Sequence, residues 1–256
     1  MTEERRGRRG KRESHPRRKF SAIGILGEVL ITAGVVSFLF LGWQLWFNDL
    51  VVGAQQNSAG ANLAKGWTGS IPNHTQVNPV PKDYGEPIVE TAPKDAVQFA
   101  VMYVPRFGPN YVRSISEGVS TTAVLNENGI GHYPGTQMPG QLGNFAVAAH
   151  RTTHGAPFNL IATLRVGDKI YVQTKDGYFT YEFRGLEYVR PTGVGVLDPV
   201  PQDAGATPTN RVLTMTSCNP MFEATERIIA YAAMTSWQPT SAGAPAPIAS
   251  VVAAKG

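Results

Sequence analysis

The sequence predicts an all-β domain, either a barrel or a sandwich, that follows one membrane-spanning helix. The apolar runs in the C-terminal two thirds are short and rich in β-branched and aromatic residues. Gly and Pro punctuate these runs, as they do in all-β folds. One long apolar segment lies near the N-terminus. Residues 96–238, between the flanking segments, are enough to build one hydrophobic core.

Residues 1–19 form a basic tail, which we expect to be cytoplasmic. They carry nine Lys or Arg and three Glu, so the isoelectric point of about 9.2 reflects this tail. The remaining residues are nearly neutral and show no basic stripe with interleaved aromatic residues. We therefore expect no nucleic-acid partner.

Residues 20–47 are predicted to be a transmembrane anchor. Glu28 is their only charged residue, and roughly 20 apolar residues cross a hydrocarbon core of about 30 Å. Trp43 and Trp46 lie near the C-terminal end, where aromatic rings favour the membrane interface. The segment is longer than the apolar core of a signal peptide. The preceding basic residues predict a single-pass protein of the cell membrane with a cytoplasmic N-terminus and an extracellular domain.

Residues 48–95 are predicted to be an extracellular linker, and residues 239–256 a disordered tail. The first segment is rich in Gly, Asn, Pro and Lys without a sustained apolar period. The second is biased towards Ala, Pro and Ser. Four prolines favour an extended linker: Pro79, Pro81, Pro87 and Pro93.

The domain itself contains six runs that read as strands. The run from Lys169 and the run from Tyr178 flank Lys175-Asp176-Gly177, which predicts a β-hairpin. Phe158–Leu164 suggests a short helix. The six predicted strands are Ala96–Tyr103, Phe145–Ala149, Lys169–Thr174, Tyr178–Arg190, Val212–Thr216 and Ile228–Trp237.

Cys218 is the only cysteine of the chain. It closes the strand-like run from Arg211, and Asn219-Pro220 follows at once, which predicts a thiol at the rim of a sheet. A single cysteine forms no internal disulfide. Outside the reducing cytosol, a thiol that is left free is usually used for chemistry.

Thiol catalysis also needs a proton donor and a group that stabilises an oxyanion. His150 directly follows a predicted strand, and Arg227 begins the strand after Cys218, so all three are expected at one rim. His132 and His154 are the alternative bases, but neither follows an apolar strand so directly. From spacing alone, an inert cysteine and a solvated arginine stay open. No cluster has metal-ligand spacing, and no metal or cofactor is expected.

The residues around Cys218 resemble a known family. Thr214-Met-Thr-Ser-Cys218 is similar to the sortase signature Thr-Leu-x-Thr-Cys, and Ala148-Ala-His150-Arg151 resembles the sortase Gly-His segment. Gly131–Thr136 together with Gly143–Phe158 is similar to the class E sortases of high-GC Gram-positive bacteria. Arg227 falls where that family places its arginine. The resemblance covers roughly residues 97–237.

The resemblance implies a closed sortase-type β-barrel of about eight strands and a membrane-anchored cysteine transpeptidase. The Cys218 thiolate would attack the Thr–Gly carbonyl of a Leu-Ala-x-Thr-Gly-like (or Leu-Pro-x-Thr-Gly) sorting signal. His150 would protonate the departing glycine amine, and Arg227 would hold the substrate backbone and the oxyanion. Four residues are expected to bind substrate: Tyr133, Met215, Thr216 and Ser217.

The implied partners are secreted proteins with C-terminal sorting signals and a peptidoglycan precursor that offers a stem-peptide amine. One alternative is a pilus-assembling sortase, which uses a pilin lysine and often carries a lid; Asp83-Tyr84-Gly85 is a candidate lid motif. A second alternative is a non-catalytic, membrane-tethered binding module on the same barrel. The presence of Cys218, His150 and Arg227 together argues against this module.

Overall fold

The computed structural model describes residues 21–43, 47–68 and 83–254, and the chain divides into the units Met1–Trp43 and Gln44–Gly256. In the first unit, helix α1 (Ala22–Gly42) is long and apolar enough to cross a membrane. Its large apolar side chains are exposed, Ile23 by 83% and Phe38 by 81%, as a lipid-facing helix requires. Trp46 and the basic tail lie outside the described residues.

The second unit contains a closed barrel of eight strands, which confirms the predicted all-β barrel. The strand order around the barrel is β1-β2-β3-β4-β7-β8-β6-β5, and closure leaves no free sheet edge. The strands are β1 (Gln98–Tyr103), β2 (Val112–Glu117), β3 (Ile130–His132), β4 (Gly143–Ala149), β5 (Lys169–Gln173), β6 (Gly177–Val189), β7 (Arg211–Asn219) and β8 (Glu226–Pro239).

All six predicted runs form strands, and the predicted hairpin is the antiparallel pair β5–β6. A 3₁₀ turn at Ile161–Thr163 lies within the predicted short helix. Strands β2 and β3 were not predicted. β2 has only two apolar residues, Val112 and Ile115, and β3 has only three residues in all, so neither gives a clear apolar run.

Helix α2 (Asn48–Thr68) occupies much of the predicted linker. The expectation of an extended state is therefore wrong for these residues. The helix packs closely on β2 because its buried face, apart from Gln56, consists of glycine and alanine. A Cβ at Gly60 would lie 3.1 Å from the backbone N of Ser114, so glycine permits this approach. Pro79 and Pro81 lie outside the described residues.

Helix α4 (Ala246–Ala254) lies in the segment that was expected to be disordered, so that expectation is also wrong. Ile248 is only 1% exposed and joins an apolar cluster with Tyr103, Tyr171 and Tyr178 on the outside of the barrel. A compositional bias towards Ala and Pro did not reveal this apolar contact.

The candidate lid motif lies far from Cys218. Trp237 Nε1 donates to the Gly85 carbonyl at 2.6 Å, and the rings of Tyr84 and Trp237 meet edge to face. Trp237 lies ten residues along β8 from Arg227, which pairs with Cys218. At about 3.3 Å per residue this separation is roughly 30 Å. Asp83–Gly85 therefore does not cover the cysteine.

Candidate active site

Strands β4 and β7 bring His150 and Cys218 to the same end of the barrel. The two strands are parallel neighbours, and Ala148 pairs with Thr216. His150 follows Ala148 by two residues, and Cys218 follows Thr216 by two residues. The parallel register therefore carries both side chains to one rim, as the sequence predicted.

Arg227 completes this rim from β8. β7 and β8 are antiparallel, and Cys218 is directly paired with Arg227. Residues paired across strands point to the same face of a sheet. Leu213 and Met215 alternate with Thr216 and Cys218 and fill the barrel core, so Cys218 and Arg227 project from the outer face. All three predicted catalytic side chains are half-buried.

Two side chains contact the ring of His150, one at a ring nitrogen and one at its face. Nε2 lies 2.8 Å from Oδ1 of Asn126, which begins the short helix α3 (Asn126–Asn128). On another side, His154 stacks against it with ring centroids 5.0 Å apart. Burial lowers the pKa of His150 below its usual value, and the charge of His154 lowers it further, whereas Asp49 opposes the shift.

The loop after His150 has an unusual backbone and is held by α2. Thr153, His154 and Ala156 have positive φ values of 63°, 49° and 40°, a region that is costly for residues with a side chain. Asp49 accepts hydrogen bonds from the backbone N–H groups of Thr153 at 2.9 Å and Gly155 at 3.2 Å. The first turn of α2 therefore stabilises the loop that carries His154.

Two contacts brace the ends of β4 and β7 against each other. Arg151, which is 9% exposed, donates from Nη1 to the Cys218 carbonyl at 3.3 Å and to Asn219 Oδ1. Ser217 Oγ donates to the Ala149 carbonyl at 2.8 Å. The residues that precede and follow the predicted catalytic pair are thus tied together.

Arg227 is the second residue of β8 and places a cation next to the β7–β8 connection. Its Nη1 donates to the carbonyls of Ala224 at 3.0 Å and Glu226 at 2.9 Å. No carboxylate of the described residues forms an ion pair with it. The guanidinium is therefore available to a hydrogen-bond acceptor that enters the site.

The four predicted substrate-binding residues divide between two faces. Tyr133 OH lies 3.0 Å from Thr216 Oγ1 on the outer face, next to Cys218 along β7. Met215 is completely buried in the barrel core and cannot contact a substrate. Thr216 and Ser217 are both 4% exposed, but Thr216 lies on the outer face, whereas the Ser217 hydroxyl donates to the Ala149 carbonyl of β4. The prediction is therefore corrected for Met215 and Ser217, whose roles are packing and bracing.

The alternative base His132 is completely buried. Its Nδ1 lies 2.6 Å from Glu117 Oε2, and its Nε2 lies 2.9 Å from Thr136 Oγ1. Because both ring nitrogens are engaged inside the barrel, His132 is not available to a substrate. His154 is exposed and reaches the rim only as the stacking partner of His150.

Three residues of this site were not predicted from the sequence: Asn126, Arg151 and Asp49. Arg151 adjoins His150 in the chain and could have been suspected on that ground. Asn126 and Asp49 come from segments without a motif. Within residues 21–43, 47–68 and 83–254, no group of three His, Cys, Asp or Glu side chains could hold a metal ion. The site thus offers a thiol, an imidazole and a guanidinium for nucleophilic chemistry.

Comparison with known proteins gives an independent result. Residues 102–235, which include Cys218, His150 and Arg227, match the family model described as Sortase domain. Sortase SrtE1 of Streptomyces coelicolor is 35% identical over 244 residues. The match covers 93% of this chain but 64% of that relative, so the chain spans just under two thirds of its length.

Solved structures share the barrel. The SrtA sortase from Actinomyces oris is 34% identical with a TM-score of 0.61, covering 65% of this chain and 95% of that one. Sortase E1 from Streptomyces coelicolor, solved with a tripeptide in the active site, is 38% identical with a TM-score of 0.56. That match covers 62% of this chain and 99% of the other.

Proposed function

Because this chain belongs to the sortase family, whose members are cysteine transpeptidases, we propose that it cleaves sorting signals and joins them to an amine. The signal is of the Leu-Ala-x-Thr-Gly or Leu-Pro-x-Thr-Gly type, and the cleaved bond joins Thr to Gly. One observation carries the proposal. Cys218, His150 and Arg227 lie at one rim, at the adjoining ends of neighbouring strands.

In the first half of the reaction, the Cys218 thiolate attacks the threonine carbonyl. The developing oxyanion is stabilised by the Arg227 guanidinium, whose charge meets no carboxylate of the described residues. The C–N bond breaks, and His150 as imidazolium gives its proton to the departing glycine amine. A thioester between Cys218 and the threonyl residue remains.

In the second half, an acceptor amine attacks the thioester carbonyl. An amide bond forms, the C–S bond breaks, and neutral His150 takes the proton that the amine loses. Burial favours neutral His150, since it lowers the pKa of this group. We propose that the acceptor belongs to a cell-wall precursor and that the signal belongs to secreted proteins.

Substrate selection is proposed to involve Tyr133 and Thr216. Their hydroxyl groups lie 3.0 Å apart on the outer face, and Thr216 precedes Cys218 by two residues on the same side of β7. A peptide that places its threonine carbonyl at Cys218 would lay its preceding residues along this face.

The experiment uses the full-length protein in detergent micelles with a Leu-Ala-x-Thr-Gly peptide and diaminopimelate as the amine. Mass spectrometry should detect a ligated peptide with the wild type and none with Cys218→Ala. Identical peptide profiles for the two proteins would reject the proposed enzymatic activity. Ligation of a Leu-Pro-x-Thr-Gly peptide alone would reject the Leu-Ala-x-Thr-Gly form of the proposed signal.

We also propose that α1 anchors the protein with the barrel outside the cell, because the basic tail precedes α1 directly. Since Cys218 is the only cysteine, a membrane-impermeant maleimide should label it in intact cells. Cys218→Ala provides the background. Labelling that requires cell lysis would place the barrel on the cytoplasmic side and reject this orientation.

A further inference from the structure

A cavity of about 600 Å³ opens beside the candidate active site, at the same end of the barrel. This volume lies within the range of small-molecule sites. The cavity lies between the first turns of α2, the loop after His150 and the β7–β8 connection. Residues that line it include Asp49, Gly53, Arg113, Thr152, Met221 and Phe222.

Arg113 is the unusual member of this lining, because it is a buried cation without a carboxylate partner. It is only 6% exposed, and none of the described acidic residues forms an ion pair with it. Burial lowers its pKa, and the guanidinium carbon lies 5.0 Å from the centre of the Tyr111 ring. A buried charge left in this state is costly unless an anion joins it.

The hydrogen bonds of Arg113 leave one edge of its guanidinium free. Nη1 donates to Asn57 Oδ1 and to the Val112 carbonyl. Nε is buried without a partner, and Nη2 makes no hydrogen bond with the described residues. Nε and Nη2 are the edge that binds a carboxylate through two parallel hydrogen bonds.

Arg106 shows what the same edge does when a carboxylate is present. Its Nε and Nη2 each donate to an oxygen of Asp168 at 2.7 Å. Arg113 presents the corresponding pair of donors without an acceptor. The only carboxylate in the cavity lining is Asp49, and both of its oxygens accept backbone N–H groups of the loop after His150.

Gly53 of α2 lies directly beside Arg113 Nη2. A Cβ at position 53 would lie 3.2 Å from Arg113 Nη2 and 3.5 Å from the Gly155 carbonyl oxygen, so glycine lets α2 approach both. A methyl group added at position 53 would therefore crowd Nη2 and any oxygen bonded to it. Glycine is less favourable than alanine inside a helix, and this close approach gives its presence at position 53 a reason.

We propose that this cavity binds the second substrate and that Arg113 recognises a carboxylate group on the amine acceptor. The inference rests on the proposed transpeptidase function and names the chemical class of its acceptor, an amine that also carries a carboxylate. Thr152 and Met221, which line the cavity, follow His150 and Cys218 by two and three residues in the sequence. An amine held there reaches the thioester from the side on which His150 can take its proton.

The test compares two acceptors in the full-length protein: diaminopimelate and its diamide, which keeps both amines but has no carboxylate. With a saturating Leu-Ala-x-Thr-Gly peptide, the wild type should use diaminopimelate about tenfold more efficiently than the diamide. Arg113→Gln and Gly53→Ala should remove most of this preference by raising the KM for diaminopimelate. The KM for the diamide should change much less.

Arg106→Gln is the matched control, since it removes an arginine at the same end of the barrel but outside the cavity lining. Gly53→Ala guards against misfolding, because alanine favours the helix. Equal use of the two acceptors by the wild type would overturn the proposal, as would an equal loss for both acceptors in the variants. Absence of peptide cleavage would instead reject the proposed function.

A second readout does not depend on turnover. Saturation-transfer NMR should show contact between diaminopimelate and Cys218→Ala protein, and the signal should be lost when Arg113→Gln is added. A signal that survives this second substitution would overturn the role of Arg113 even if the enzyme proves inactive on the peptide.

Discussion

The side-chain oxygen of Asn126 lies 2.8 Å from Nε2 of His150. Asn126 belongs to the helical segment that connects β2 to β3. An amide oxygen only accepts hydrogen bonds, so this contact favours a proton on Nε2 and fixes the plane of the ring. We therefore expect Asn126 to act through His150, as a positioning residue.

Asn126→Ala should lower kcat/KM about tenfold, because the ring loses its orientation. Asn126→Asp should restore part of the activity and shift the basic limb of the pH profile upwards, since a carboxylate stabilises imidazolium. Peptide-cleavage rates across pH measure both effects. Glu127→Ala, at the exposed neighbouring position, is the control. An Asn126→Asp profile identical to that of Asn126→Ala would argue for a purely structural role.

The pKa of His150 should move in opposite directions when its two charged neighbours are removed. His154→Gln should raise the pKa, because the charge of His154 lowers it, and Asp49→Asn should lower it further. The fraction of imidazolium near neutral pH then rises in the first variant and falls in the second. NMR titration of the His150 ring measures the shifts directly. Shifts of the same sign in both variants would contradict this interpretation.

Arg227→Lys should reduce kcat/KM by about 100-fold, if the guanidinium stabilises the oxyanion. Lysine keeps the charge but loses the planar donor pair. Arg190→Lys is a matched control, since Arg190 is exposed and follows the β6 residue that pairs with Arg227. Steady-state cleavage of the signal peptide provides the measurement. A comparable loss in the control would point to a general charge effect.

The buried pair of Glu117 and His132 should contribute to stability and not to chemistry. Glu117→Ala removes the partner of a histidine that has no exposed surface, and should lower the free energy of unfolding by about 2 kcal/mol or more. Glu86→Ala, which breaks an exposed ion pair with Arg211, should cost less than about 1 kcal/mol. Urea unfolding compares them. Equal costs would show that the buried pair has no special role.

Helix α4 should be part of the folded domain. Ile248→Ala should reduce the free energy of unfolding by about 2–5 kcal/mol, since its side chain is buried against the barrel. Ser250→Ala, on the exposed side of the same helix, should have little effect. Thermal unfolding of the two variants tests the contact. A neutral Ile248→Ala would mean that the helix does not stabilise the barrel.

The sequence predicted the strand ends that carry Cys218, His150 and Arg227, because each lies where an apolar run meets a polar one. It did not predict α2. The helix buries glycine, alanine and Gln56, and Gly53 and Gly60 matter for the close approach they allow, so no apolar period marks the face. Nothing in the sequence indicated the role proposed for Arg113. The lack of an ion partner can be recognised only when the neighbours of a side chain are known.

The signature around Cys218 illustrates a second limit. A motif groups residues by position, whereas a strand separates them by face. Thr216 and Cys218 point outwards, while Met215 packs in the core and Ser217 bonds to the neighbouring strand. Treating the motif as one substrate-binding unit therefore led to the incorrect roles for Met215 and Ser217. The alternation of β-strands, applied to the motif, would have separated them.

The parallel pairing of β4 with β7 also determines when reactivity can appear during folding. The bond from Ser217 to Ala149 joins residues 68 positions apart in the chain, and the strands β5 and β6 lie between them in sequence. Contacts across so long a loop form late, because the entropy of closing the loop must be overcome first. An incompletely folded chain therefore carries a solitary thiol with no acid beside it. The thiol and the imidazole therefore come together only when β4 and β7 have paired and the barrel has closed.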